Sequence, residues 1–269
     1  MFLVWVEIRW EIYMKLYSTI LAVAFFGLAM PMSAFAHGGG ESRVEVELKN
    51  SGPQSAGQLT LEFQVFDTTS SKVVTDQDLN ISHEKLLHLV VYDPSLKEFQ
   101  HVHPVFDGQM WKADLSFAVN GNYFVWAQGE LKVDGYEFSS STRLEILGGK
   151  PAPPAPPRLR DIRVGNDSGS AAKLGLTSLK AGQMAMLDLV FSRVDGSKPQ
   201  LTPYLGAFAH VIAVPADGDS IIHVHPMAGG SPEQGMLHVT FPSKGTYRLW
   251  IQFVDASQIR TVPLSVKVR

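Results

Sequence analysis

Apolar residues recur at every second position in short runs: "QLTLEFQVF" from Gln58, "LLHLVVY" from Leu86, "MWKADLSFAV" from Met110, "NYFVWAQ" from Asn122 and "STRLEIL" from Ser141. Glycine, proline, asparagine or aspartate separates them. A period of two puts alternate side chains on opposite faces of an extended strand, and no run carries a helical period. The pattern predicts antiparallel β-structure. One run breaks the alternation: around His88, Val90 and Tyr92 are apolar on one face, and Leu89 and Val91 on the other.

The same pattern occurs twice. "AGQLTLEFQVFD" from Ala56 matches "AGQMAMLDLVFS" from Ala181, His88 matches His210, and "GNYFVWAQ" from Gly121 matches "GTYRLWIQ" from Gly245, at offsets of 125, 122 and 124. An internal duplication with one short loop difference on either side of the histidines explains these values. Gly-x-Tyr with an apolar residue two positions later is the pattern of strand F in an immunoglobulin-like sandwich, the later position here being Val125 or Leu249. The expected architecture is therefore all-β: two tandem Ig-like antiparallel β-sandwich domains, 37–147 and 160–269. "GGKPAPPAPPR" lies between them, and 148–159 is expected to be an extended, proline-rich linker.

Ahead of the repeats, "MKLYSTILAVAFFGLAMPMSAFA" has a lysine, an apolar run and Ala34-Phe35-Ala36, an A-x-A cleavage pattern. Residues 1–36 are expected to be a signal peptide, with Met14 the expected true start and 1–13 a mis-assigned extension. An uncleaved anchor is the competing reading. Cleavage after Ala36 places the mature chain in the periplasm or outside the cell, without a stable membrane span, beginning at His37. Cysteine is absent, which removes disulfides, thiolate nucleophiles and thiolate metal sites. A formal charge of −3 argues against a nucleic-acid surface.

Candidate chemistry centres on "HVHP", which occurs at His101–Pro104 and again at His223–Pro226. In each copy a further histidine stands 13 positions before the motif, His88 or His210. "LLHLVVYDPSLKEFQHVHP" reads as a hairpin, with His88 opposite His101 or His103 according to a two-residue choice of register. Opposed residues have Cβ atoms about 5 Å apart, and residues two apart on a strand share a face. Three imidazoles can then meet one ion. The metal ligands expected are His88, His101 and His103 in one domain and His210, His223 and His225 in the other, one three-histidine site per domain. Imidazole without carboxylate suits copper or zinc rather than calcium or magnesium, and Met110, Met227 and Met236 near the motifs tilt the choice to copper. The competing reading is that these are core histidines on strands that a proline ends.

His37, as a mature N-terminus, could supply the bidentate half of a copper-binding histidine brace. His83 and His238 have no histidine counterpart in the other copy and read as ordinary polar positions. Trp126 and Trp250 face away from the tyrosines and are expected to pack against a neighbouring domain.

"YLGAFAHVIAV", "HVHPM" and "FPSKGTYRLWIQF" resemble a group of exported bacterial tandem β-sandwich proteins with repeated His-x-His-Pro motifs, found alongside copper or heavy-metal handling systems. The resemblance covers nearly all of the chain after residue 36. It implies heavy-metal association, with His210, His223 and His225 as its motif positions and His88, His101 and His103 by duplication. A more distant similarity, resting on His37 and the fold class, is to periplasmic copper-resistance carriers.

The function expected is metal buffering or transfer by an exported protein, with a metal-transport or envelope protein as partner. Two alternatives compete: a non-catalytic envelope adhesion module with structural histidines, and a mononuclear copper protein using the brace. No Ser-His-Asp arrangement, phosphate loop or paired-carboxylate motif is visible, so no enzymatic activity is expected.

Overall fold

Alternation becomes strand throughout the computed structural model, which describes residues 35–37, 43–152, 154, 159–229, 231 and 233–269. Strands β1 to β11 are Phe35–His37, Val44–Leu48, Gln54–Ser55, Gly57–Asp67, Lys72–Val73, Leu87–Tyr92, Phe99–Val102, Val105–Phe106, Trp111–Phe117, Gly121–Glu130 and Glu137–Leu147. Strands β12 to β21 are Val164–Asp167, Ser170–Leu174, Met184–Arg193, Leu201–Thr202, His210–Pro215, Ile221–Val224, Met227–Ala228, Gln234–Thr240, Gly245–Asp255 and Gln258–Val268. The protein is all-β, with two repeated Ig-like sandwiches.

In the first sandwich the sheet β2-β4-β9-β8 covers β3-β11-β10-β6-β7. In the second, β12-β13-β14-β19-β18 covers β17-β16-β20-β15, with β21 also on β20 and β1 added along β17. Each sandwich has its own core, one around Phe63, Trp111 and Val125, the other around Leu189, Phe191 and Leu249. The Gly-x-Tyr expectation holds in both: the Tyr123 hydroxyl donates to Val119 O and that of Tyr247 to Ser243 O, each at 3.0 Å. Each bond ties strand β10 or β20 to the turn four residues before it.

The letter match between the copies is one residue out of phase in β4 and β14. It pairs buried Val65 with half-buried Val190, whereas strand pairing makes Val65 equivalent to Phe191. A one-residue slip would turn every side chain of a strand to the other face, so the core selects the pairing and the letters do not.

A third apolar cluster joins the two sandwiches, which form one compact unit from residue 33 onward. Val90, Tyr92, Leu96, Phe124 and Trp126 of the first pack on Ile212, Val214, Ile221 and Trp250 of the second. Phe99 stacks on Trp250 at 4.4 Å between ring centres, Trp126 Nε1 donates to the Tyr92 hydroxyl at 2.7 Å, and that hydroxyl donates to Gly218 O at 2.8 Å. Gly218 has φ +79°, and a Cβ there would lie 2.7 Å from the Phe124 ring, so no other residue fits this contact. Each large apolar side chain buried here contributes about 1.5–3 kcal/mol, enough to hold the two sandwiches as one body. This interface explains why β6 and β16 are apolar on both faces: one face meets its own core, the other the second sandwich.

The predicted signal segment, apart from the backbone of Phe35 and Ala36, lies outside the described residues. Among the described residues no helix is long and apolar enough to cross a membrane. Much of the predicted linker is likewise outside them; of its described part, Lys150 bonds back to Ala118 O and Asn120 N, and Leu159 packs on the interface.

Candidate metal centre

The register of the first hairpin pairs Leu89 with Val102 and Val90 with His101. His103 therefore falls beside His88, just past the end of β7, where Pro104 removes the next ladder donor. In the second hairpin Val211 faces Val224 and Ile212 faces His223, so His225 falls beside His210. Of the two registers open to the sequence, this one places all three imidazoles of each hairpin on the face turned away from its own core. Those two faces pack on each other.

The six histidines consequently form one contiguous cluster across the interface, so the triplets expected in the two domains adjoin. The donor atoms of His88, His101 and His103 lie within 4.8 Å of one another, and so do those of His101, His210 and His223, a set drawn from both sandwiches. His83 is a seventh member: its ring stacks on that of His225 at 3.5 Å and stands 6.0 Å from His210. It is not an ordinary polar position, because its turn lies against the second sandwich. That turn is built twice. Ser82 and Lys85 exchange backbone hydrogen bonds around His83 and Glu84, both at positive φ, and Tyr204 and Ala207 do so around Leu205 and Gly206. Non-glycine residues in the left-handed region cost energy and persist only where the surroundings demand them.

The turns supply the outermost hydrogen bonds of the cluster. His88 Nε2 lies 3.1 Å from Ser82 O and His210 Nε2 lies 3.0 Å from Tyr204 O. A carbonyl only accepts, so each ring carries its proton on Nε2 and leaves Nδ1 bare. The next rings are set from across the interface. His101 Nδ1 lies 2.8 Å from Gln252 Oε1, and His223 Nδ1 lies 3.2 Å from Gln128 Oε1. The two amides are oriented by their own nitrogens, which donate to Thr261 Oγ1 and Ser139 Oγ at 3.2 Å. His101 and His223 thus carry their protons on Nδ1 and leave Nε2 bare.

The bare atoms then face each other. His88 Nδ1 is 3.2 Å from His101 Nε2, and His210 Nδ1 is 3.3 Å from His223 Nε2. His225 Nε2 approaches His210 Nδ1 at 2.8 Å, and His103 Nε2 is buried with no hydrogen-bond partner. Burial pushes His88 and His210 down to about 4 and His103 down to about 3, and holds His101, His223 and His225 well below the ordinary imidazole value. At neutral pH the imidazoles are uncharged, each with one proton, already committed in four of them. Two opposed lone pairs at this distance repel, and a cation between them turns the repulsion into two bonds. Metal–nitrogen bonds of about 2.0–2.1 Å set nitrogens about 2.8 Å apart at a right angle and about 3.4 Å apart in a tetrahedron. The three close separations, 2.8, 3.2 and 3.3 Å, lie in that range, and the donor atoms of each set named above lie within 4.8 Å of one another.

A cavity of about 30 Å³ opens on the cluster, lined by Ser82, His83, His88, His223 and His225 together with Glu130 and Glu137. It has room for one water-sized species. Glu130 and Glu137 are directly opposed across β10 and β11, and burial with the neighbouring carboxylate raises Glu137.

Of the other positions singled out in the sequence, His238, Met227 and Met236 lie on the far sheet of the second sandwich. They are not donors to the cluster, and among the described residues no methionine lines its cavity. The backbone of His37 ends β1, opposite Ile221; its side chain, and with it the brace, lies outside what is described. Trp126 and Trp250 pack at the interface beside the cluster. Sequence reasoning missed His83, Gln128 and Gln252. The glutamines did leave a signal: each ends the duplicated segment "GNYFVWAQ" or "GTYRLWIQ" as a polar side chain in an apolar strand.

The glutamines yield a direct expectation. Gln128→Leu leaves the buried His223 Nδ1–H unpaired, and metal affinity is expected to fall about 10–100-fold, with Gln252→Leu acting alike through His101. Gln128→Glu, which keeps the acceptor, should restore binding in competition with a chromophoric chelator. Equal affinity of Gln128→Leu and the native chain would remove the glutamine from this role.

Fold and cluster together define a tandem Ig-like β-sandwich protein whose two domains close on a shared histidine centre. The chain belongs to the family described as Domain of unknown function (DUF8832), whose model matches residues 39–144 and again 165–269. No curated protein shows significant sequence similarity to it. Among solved structures it is similar to fibronectin(III)-like modules of Clostridium thermocellum CbhA, with 14% identity over 83% of this chain and 92% of that one and a TM-score of 0.23. It is also similar to invasin, a bacterial integrin-binding protein, with 13% identity over 84% of this chain and 39% of that one and a TM-score of 0.23. A third is SGBP-B of the Bacteroides ovatus mixed-linkage glucan utilization locus, in complex with a mixed-linkage heptasaccharide, with 12% identity over 84% of this chain and 70% of that one and a TM-score of 0.20.

Proposed function

We propose that the protein is an exported binder of a divalent transition metal, held at the histidine centre between the two sandwiches for buffering or for transfer to an envelope partner. The observation that carries this reading is the proton arrangement. Ser82, Tyr204, Gln128 and Gln252 each accept an imidazole proton, so the bare nitrogens of both hairpins converge. An all-imidazole donor set suits copper and zinc, and of these two copper(II) binds nitrogen sites more tightly. The paired carboxylates Glu130 and Glu137 lining the cavity would draw cations toward an otherwise uncharged site.

Metal analysis of the protein purified after export tests the reading. The native chain is expected to retain or take up copper or zinc. A chain with His88, His101, His210 and His223 all replaced by asparagine should hold close to none, its fold being checked by circular dichroism. Equal, near-zero loading of both would leave the histidines as interface residues of a non-catalytic module.

A further inference from the structure

Methionine is normally a buried residue, and its placement here is uneven. Of nine methionines, Met1, Met14, Met30 and Met32 precede residue 36; of the remaining five, Met184, Met186, Met227 and Met236 lie on one outward face of the second sandwich. Met184, Met186 and Met227 are 69%, 54% and 46% exposed, while the intervening Ala185, Leu187 and Leu237 fill the core behind them. Strand register makes the group contiguous. Met186 is directly opposite His238, Asp188 opposite Met236, and Met236 opposite Met227. Directly opposed Cβ atoms stand about 5 Å apart, and positions two apart on one strand about 6.6 Å. Thioether, imidazole, thioether and thioether are thus nearest neighbours on β14, β19 and β18.

The duplication supplies an internal control. The same face of the first sandwich carries Gln58, Thr60 and Glu62 on β4 opposite Ser116, Asp114 and Lys112 on β9. These pair by ordinary polar contacts: Thr60 Oγ1 donates to Asp114 at 2.6 Å, and Lys112 Nζ reaches Glu62 at 2.9 Å. The fold is therefore satisfied by a polar face here. Met184, Met186, Met236 and His238 replace it at the equivalent places of the second sandwich, where burial does not call for them.

We propose that this face is a second metal site, distinct from the interdomain centre and of different chemistry. Met186, Met236 and His238 form its donor set, Met227 is a fourth donor, and the ion is soft and monovalent, copper(I) or silver(I). Thioethers select such ions, whereas the all-imidazole centre suits divalent ones. Three rotatable bonds let each thioether sulfur reach in from its strand, and Asp188, opposite Met236 and two residues from Met186, balances the charge. The two sites would hold the two oxidation states of copper on one molecule.

The test is titration of the full chain, labelled at the methionine methyl carbons, with silver(I) as the probe. The methyl signals of Met186, Met227 and Met236 are expected to move together and saturate near one equivalent, with Met110 unmoved. Met186→Leu combined with Met236→Leu, both at solvent-facing positions, should weaken that event at least tenfold. His238→Gln should do so without altering the fold. Methyl signals that stay still at stoichiometric silver, or that all drift together with Met110 only in excess, would overturn the site. Imidazole signals of the interdomain cluster, followed in a separate zinc titration of histidine-labelled chain, report on the divalent centre independently, so either site can fail alone.

Discussion

Replacing His223 alone with alanine is expected to weaken metal binding at least about 100-fold for the whole molecule, including the hairpin of the first sandwich that this substitution leaves intact. His223 sits in the donor set with His101 and His210, across the interface from the first triplet. Its Nδ1 proton is held by Gln128, the residue opposite His88 in the first sandwich's own sheet. Loss of one ligand therefore removes a donor from the shared set and leaves an amide oxygen of the other domain buried without its partner, at a cost of about 1–3 kcal/mol before any metal term. Metal binding should also stabilise the native chain against heat or denaturant, by about 4 kcal/mol at a thousand times the dissociation constant, and this stabilisation should vanish in the variant. Isothermal titration of native, His101→Ala and His223→Ala chains checks the point. If His223→Ala kept one binding event at full affinity, lost only on substituting His88 or His103, the domains would act as independent sites.

Acid is expected to produce the second large effect in the metal-free protein. The imidazoles of His88, His103 and His210 are depressed by burial to about 4, about 3 and about 4. The unfolded chain titrates near 6.5, so it binds more protons than the native state between these values, and stability falls as pH falls. Their contribution is complete above about pH 6.5 and is lost as pH drops through the window down to about 4. All three groups act in the same direction, so stability should fall steadily through this window. Intrinsic fluorescence of Trp126 and Trp250, both at the interface, should report the two sandwiches separating between about pH 6 and pH 4. Bound zinc should shift the midpoint downward by competing for the same nitrogens. A denaturation midpoint constant from pH 7 to pH 4 would contradict this account.

Most of the architecture was open to reading in one dimension because β-structure writes itself at a period of two. The alternating runs, the duplicated Gly-x-Tyr and the turn residues between strands each constrain neighbours in the chain, and strands, tyrosine corners and two sandwiches follow from them. The histidine positions were equally local. Two histidines two apart at a strand's end, with a third 13 residues back across a turn, meet in any hairpin that keeps the registers open to it. Even Val90 and Tyr92, apolar on the face away from the core, signalled a covered outer surface, though not by what.

What covers that surface only the tertiary structure decided. His101 and Gln252 are 151 positions apart, His223 and Gln128 are 95 apart, and no local period links residues at such distances. His83 enters the cluster because its turn abuts the second sandwich, and the methionines leave it because strand register turns them to the opposite sheet. The sequence by itself therefore determined two β-sandwiches, each with three imidazoles on one hairpin. The packing of the two outer faces, driven by Tyr92, Phe124, Trp126 and Trp250, brought the six into one cluster, since apolar burial is non-directional and local pattern cannot say which surface will meet which.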